Sequence, residues 1–163
     1  MKIILIIAAV VVCFAPGASL SQLQAGSLCA NTEKIVFSCP ISKSAKIVSL
    51  CSSKEFTNEK GYLQYRYGVP GKIELEFPGQ REQTQKAFKY SHYFRAQVDR
   101  TDISFVNGDT EYSVFDDYNG EQKPAQHEQG VQITTPKHEL VLNCRGRAKA
   151  HYEDLADVFP EPE

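Results

Sequence analysis

Three observations predict an all-β fold, a single antiparallel barrel or sandwich of about eight strands with one short C-terminal helix. Most of the chain runs in short blocks of alternating apolar and polar residues. Turn signals built on Gly, Pro and Asn-Gly separate the blocks. The 9 Phe and 8 Tyr, with no Trp, also favour strands.

The N-terminus is of another kind. Met1-Lys2 carries one positive charge, an apolar run follows from Ile3 to Phe14, and Pro16-Gly17 breaks it. These are the parts of a secretory signal peptide, with cleavage after Ser21 favoured by the small residues Ser19 and Ser21, and cleavage after Ala25 second. The run is too short for a membrane span, which takes about 20 residues. The expected organisation is a signal peptide over residues 1–21 and one disulfide-bonded β domain over residues 22–163, periplasmic or extracellular.

Strands are predicted in order. Lys34 to Cys39 and Lys46 to Cys51 are apolar and β-branched, joined by a loop over Pro40 to Ser44. Tyr62 to Tyr67 alternates, placing Leu63, Tyr65 and Tyr67 on one face. Gly68-Val-Pro-Gly71 supplies a tight turn. Lys72 to Phe77 alternates most cleanly, with Ile73, Leu75 and Phe77 inward and Lys72, Glu74 and Glu76 outward. After a polar link, Ala87 to Val98 is a long aromatic stretch. Asp102 to Val106 and Thr110 to Phe115 flank Asn107-Gly108, a strong hairpin signal. Asp116 to Gln129 reads as a hydrophilic loop, Val131 to Thr134 and Glu139 to Cys144 as a last hairpin, and His151 to Phe159 as the helix. Tyr62 to Tyr67, Lys72 to Phe77 and Ala87 to Val98 are expected side by side in one sheet, because consecutive antiparallel strands usually pair.

Cys13 leaves with the signal, and Cys29, Cys39, Cys51 and Cys144 remain. An even number in an exported chain reads as two disulfides. With a turn near Ser42 and Lys43, Cys39 lies opposite Lys46 or Ile47, which leaves Cys51 roughly 13 Å away at about 3.3 Å per residue. A disulfide requires Cα atoms within about 7 Å. The favoured pairing is therefore Cys29–Cys51 with Cys39–Cys144, the second closing a loop worth on the order of 4 kcal/mol.

The chain holds 18 basic and 20 acidic residues, a formal charge of −2. Only Lys2 falls within residues 1–21, so the remainder carries −2 − 1 = −3. That argues against nucleic acid as a partner, since such proteins show a basic excess. No cofactor and no metal is expected: His92, His127, His138 and His151 are scattered, though His127 and His138 flank one strand. Asp116-Asp117 with Glu121 and Glu128 lacks the ligand rhythm of a calcium loop. No catalytic motif is present, so no catalytic residue is assigned.

Phe37-Ser-Cys39, Ser49-Leu-Cys51, Gln64-Tyr-Arg-Tyr-Gly68, Glu74-Leu-Glu-Phe-Pro78, Gly130-Val131 and Leu142-Asn-Cys144 resemble the blocks of a group of small exported proteobacterial proteins with no assigned function. The likeness spans most of the chain after the signal and implies export and a β-rich fold, but no activity. In plan the chain is also loosely similar to periplasmic lysozyme inhibitors, whose loop motifs it lacks.

The leading functional reading is an exported, non-enzymatic binding protein, inhibition of a hydrolase such as a lysozyme being one form of it. The alternatives are a cell-envelope hydrolase whose carboxylates converge only in the fold, and a structural accessory of the envelope. The expected partner is a protein or glycan of the cell envelope, with membrane contact only through the signal during export. The candidate binding residues are Tyr62, Arg66, Lys89 and Tyr93, because exposed Tyr and Arg dominate recognition surfaces.

Overall fold

A computed structural model describes residues 24–153 and 155–159; the signal-peptide reading of residues 1–21 lies outside them. The described residues form two five-stranded antiparallel sheets that make a sandwich, not a closed barrel. In chain order the strands are β1 (Glu33–Pro40), β2 (Ile47–Ser53), β3 (Leu63–Val69), β4 (Lys72–Phe77), β5 (Lys89–Arg95), β6 (Val98–Asn107), β7 (Thr110–Asn119), β8 (Gln126–Thr134), β9 (Glu139–Asn143) and β10 (Lys149–Ala150). A short 3-10 turn, Thr84–Ala87, precedes β5, and the helix α1 is only Leu155–Val158. Sheet 1 has the order β10-β1-β2-β3-β4, and sheet 2 the order β5-β6-β7-β8-β9.

Two sequence expectations are corrected here. The aromatic segment β5 does not continue sheet 1 beside β4. The polar link Gln80 to Lys86 carries the chain across the sandwich, and β5 opens sheet 2. Nor is Asp116 to Gln129 a loop: β7 runs on to Asn119 and β8 starts at Gln126, with Asp116 paired to Gln129 and Tyr118 to His127. The hydrophilic side chains disguise two strands that extend beyond the core.

The core is built from facing rows of cross-strand neighbours. In sheet 1, Ala150, Phe37, Leu50, Tyr65 and Phe77 are in register across five strands. In sheet 2, Ile103, Val114, Val131 and Leu142 form one row, and Phe105, Tyr112, Ile133 and Leu140 the next. The sheets meet through rings: Tyr65 lies 5.0 Å from Phe105 and 5.8 Å from Tyr112, and Phe77 stacks on Phe105 at 4.4 Å. Such aromatic pairs add about 0.5–1.5 kcal/mol each beyond area burial. Ile73, expected inward, lies past the bulge at Gly68 near the end of edge strand β4 and is 39% exposed.

Both disulfides have the expected pairing, Cys29–Cys51 and Cys39–Cys144. The first-hairpin register differs from the expected Lys46 or Ile47 by one or two residues, with Cys39 opposite Val48 and Cys51 opposite Ile35. The Pro70-Gly71 turn is as expected, since Gly71 takes φ 83, a left-handed value that a side chain disfavours.

The Cys29–Cys51 bridge has a larger effect than stapling. It holds residues 24–33 across the outer face of sheet 1. Ser38, Ser49 and Arg66, in register on that face, are all buried beneath them. The Leu28 amide donates to Ser49 Oγ at 3.0 Å, and Ser38 and Ser49 share a hydroxyl bond at 2.8 Å.

Candidate functional site

The inner face of sheet 2 changes character along its length. Two more rows follow the apolar ones: His92, Thr101, Asp116 and Gln129, then Phe94, Asp99, Tyr118 and His127. At ten, ten and nine residues, β6, β7 and β8 are longer than any strand of sheet 1, whose strands have at most eight. Thr101, Asp116 and Gln129 of the first row and Asp99, Tyr118 and His127 of the second thus form one wall of a cleft of about 470 Å³, and the segment Arg147 to Tyr152, leading into and out of β10, forms the other. His92 and Phe94 continue the two rows on β5, at the rim beside Asp99.

Asp116 organises this wall. Its Oδ1 accepts from His127 Nε2 at 2.6 Å, and its Oδ2 accepts from Gln129 Nε2 at 2.7 Å and from the Tyr152 hydroxyl at 3.3 Å. Gln129 Oε1 in turn accepts the Ala148 amide at 2.9 Å, tying the two walls together. Burial, then the neighbouring Asp116 charge, pushes the Tyr152 phenol far above its ordinary pKa, so it stays a neutral donor. Asp99 accepts from His92 Nε2 at 2.9 Å. Around these fixed groups stand exposed rings: Phe94 is 71% and Tyr118 40% exposed, and Tyr118 meets His127 edge-on at 5.8 Å. Gly120 gives Tyr118 its space, because a Cβ there would lie 2.9 Å from the phenol oxygen.

The four residues singled out in the sequence do not share a surface. Arg66 is buried on the outer face of sheet 1, bonded to Glu33, to Glu76 Oε2 at 2.8 Å and to the Leu28 carbonyl. Tyr62 is half-buried beside it, donating to Glu33 Oε1 at 2.8 Å with Arg81 over its ring. Lys89 and exposed Tyr93 alternate outward on β5, on the far side of the sandwich. Arg66 fails as a surface residue because residues 24–33 cover the face on which alternation places it.

The missed residues are Asp116, His127, Gln129 and Tyr152. The sequence carried no alternation signal for the strand residues among them, because Asp116-Asp117-Tyr118 and His127-Glu128-Gln129 are hydrophilic on both faces. His127 and His138 do not meet, since His138 lies in the turn beyond the other end of β8. Asp116 and Asp117 point to opposite faces of β7, and Glu121 pairs with Arg95, so no calcium cluster assembles. The one three-residue group with metal-ligand spacing among the described residues is Cys29, Glu33 and Cys51. Its sulfurs are bonded to each other, and its carboxylate is taken by Arg66.

Comparison of the chain with protein-family models, curated proteins and solved structures finds no match. The two disulfides suit an oxidising, non-cytoplasmic compartment. Among the described residues no helix is long and apolar enough to cross a membrane.

Proposed function

We propose that this chain is an exported, non-enzymatic binding protein that seats its ligand in the cleft between the polar rows of sheet 2 and the Arg147 to Tyr152 segment. The observation that carries this reading is the set of three hydrogen bonds on Asp116, one to Oδ1 and two to Oδ2. With both oxygens already accepting, it fixes His127, Gln129 and Tyr152 as a preorganised wall beside two exposed rings. Side chains held in place before binding lose little freedom when a ligand arrives. Inhibition of a hydrolase is one form this binding can take. The resemblance to small exported proteobacterial proteins supports export and assigns no activity.

A hydrolase is the second reading, favoured by Asp99 and Asp116 being diagonal cross-strand neighbours in one cleft. The bonding of Asp116 weighs against it: three of its roughly four lone-pair sites are engaged by His127, Gln129 and Tyr152, whereas a general base must reach its substrate's proton. The test is affinity capture from cell-envelope extract and on immobilised glycans, comparing the native protein with Phe94→Ala/Tyr118→Ala. A stoichiometric ligand lost in the variant supports binding. Turnover of a glycan or ester that disappears in Asp99→Asn overturns it in favour of the hydrolase.

A further inference from the structure

The row Phe94, Asp99, Tyr118 places a carboxylate between two exposed aromatic rings on three adjacent strands. Strands lie about 4.8 Å apart, so the two rings are rooted roughly 10 Å from each other. A flat ring sandwiched between them at about 3.5–4.0 Å from each face needs only 7–8 Å. Asp99 Oδ1 is taken by His92, which leaves Oδ2 to accept from a ligand. Across the cleft Arg147 is exposed and makes no ion pair with any described residue, so it supplies donors. An acceptor below, a donor opposite and an exposed aromatic ring on either side suit a sugar ring, whose C–H faces are apolar and whose hydroxyls both donate and accept.

Size and charge narrow the class. A volume of about 470 Å³ fits a small-ligand cleft. A typical protein partner instead covers roughly 800 Å² of surface. The cleft is lined by two carboxylates, Asp99 and Asp116, against one arginine, Arg147. It therefore holds no positive excess that would select an acidic sugar. We infer that the ligand is a neutral saccharide, one ring of which inserts between Phe94 and Tyr118 over Asp99. This rests on the cleft being the binding site.

The test is an NMR titration of the disulfide-bonded protein with neutral cello-, chito- and xylo-oligosaccharides. An oligogalacturonide and a lysozyme serve as the competing arms. At least one neutral sugar is expected to shift the Phe94, Asp99 and Tyr118 amides. Phe94→Ala and Asp99→Asn should each weaken it by about tenfold, while raising salt changes affinity by less than about twofold. Phe94 is 71% exposed, so its loss leaves the fold intact. Binding of the acidic sugar alone, abolished by salt, overturns the inference, as does silence from every neutral sugar. Lysozyme captured by the native protein and released by Phe94→Ala, with the sugars silent, overturns the saccharide and leaves the cleft standing. A sugar that binds without moving these three amides overturns both.

Discussion

Arg66 grips Glu33 with both prongs of its guanidinium, Nη1 to Oε2 at 2.7 Å and Nη2 to Oε1 at 2.8 Å, with both side chains almost wholly shut off from solvent. Every remaining lone pair or proton nearby is used: the Ala30 amide and Tyr62 hydroxyl bond Glu33, and Gln64 and Glu76 bond Arg66. Removing Arg66 strands the Glu33 charge, a cost of about 3–5 kcal/mol, whereas Arg66 without Glu33 keeps its ion pair with Glu76 and the cost is smaller. Arg66→Ala should lower the unfolding free energy measured in urea by that much and Glu33→Ala by less, with Arg66→Ala also freeing residues 24–33 to faster amide exchange. Wild-type midpoints in both would refute the claim that the pair pins that segment.

The same pair predicts acid sensitivity. Burial pushes the Glu33 carboxyl up, but hydrogen bonds from Arg66, the Ala30 amide and Tyr62, with the Arg66 charge, outweigh it and hold the pKa below the usual range. A carboxyl depressed in the folded state contributes stability fully above its unfolded pKa, about 4.3, and loses it as pH falls through the folded value. Stability should therefore drop below about pH 4. The drop should be shallower in Glu33→Gln, which can be read from denaturation midpoints across that window.

Asp117 should behave with the opposite sign. Its Oδ1 is sealed from solvent without a hydrogen-bond partner. Burial first, then the Asp102 charge, raises its pKa, against the pull of Arg100. A carboxyl raised in the folded state contributes fully below its unfolded pKa and loses that contribution as pH rises through the folded one. Asp117→Asn is expected to stabilise the protein at pH 7 by about 1 kcal/mol, the gain narrowing as pH falls towards 4. A destabilised variant at pH 7 would contradict this.

The two disulfides should differ in worth. Cys39–Cys144 spans 105 residues and Cys29–Cys51 spans 22. Loop-closure entropy gives about 4.7 kcal/mol for a loop near 100 residues and about 3 for a short one. Paired Cys→Ala variants measured in urea should rank in that order. The proposed export has its own check: intact mass of the purified protein, before and after reduction, should show no free thiol and a start near Gln22.

Gly130 of β8 pairs with Asn143 of β9, and an added Cβ would lie 2.3 Å from the Leu142 carbonyl oxygen. That neighbour is backbone in a paired strand and cannot swing aside. Gly130→Ala should cost about 2 kcal/mol or more, seen as a lower thermal midpoint; an unchanged midpoint would show that the strands separate freely.

What the sequence disclosed depended on contrast between neighbouring residues. Lys72 to Phe77 and the hairpin blocks were legible because apolar and charged residues alternate there, and the disulfide pairing followed from hairpin reach. The site was not legible, because Asp116, Tyr118, His127 and Gln129 lie on strands whose inner face is itself polar, so alternation carries no contrast. Arg66 misled for a related reason: alternation assigns it a face, but only the position of residues 24–33 decides whether that face meets water.

The rows of sheet 2 divide labour by distance along the strand. Those of Ile103 and Phe105 meet sheet 1, whereas those of Thr101 and Asp99 face the cleft. Four residues along β6 separate a side chain that holds the sheets together from one that a ligand would touch. Mutation can therefore exchange Phe94, Asp99 or Tyr118 without disturbing a core ring, and selection can reshape this end of the sheet while the scaffold is inherited unchanged.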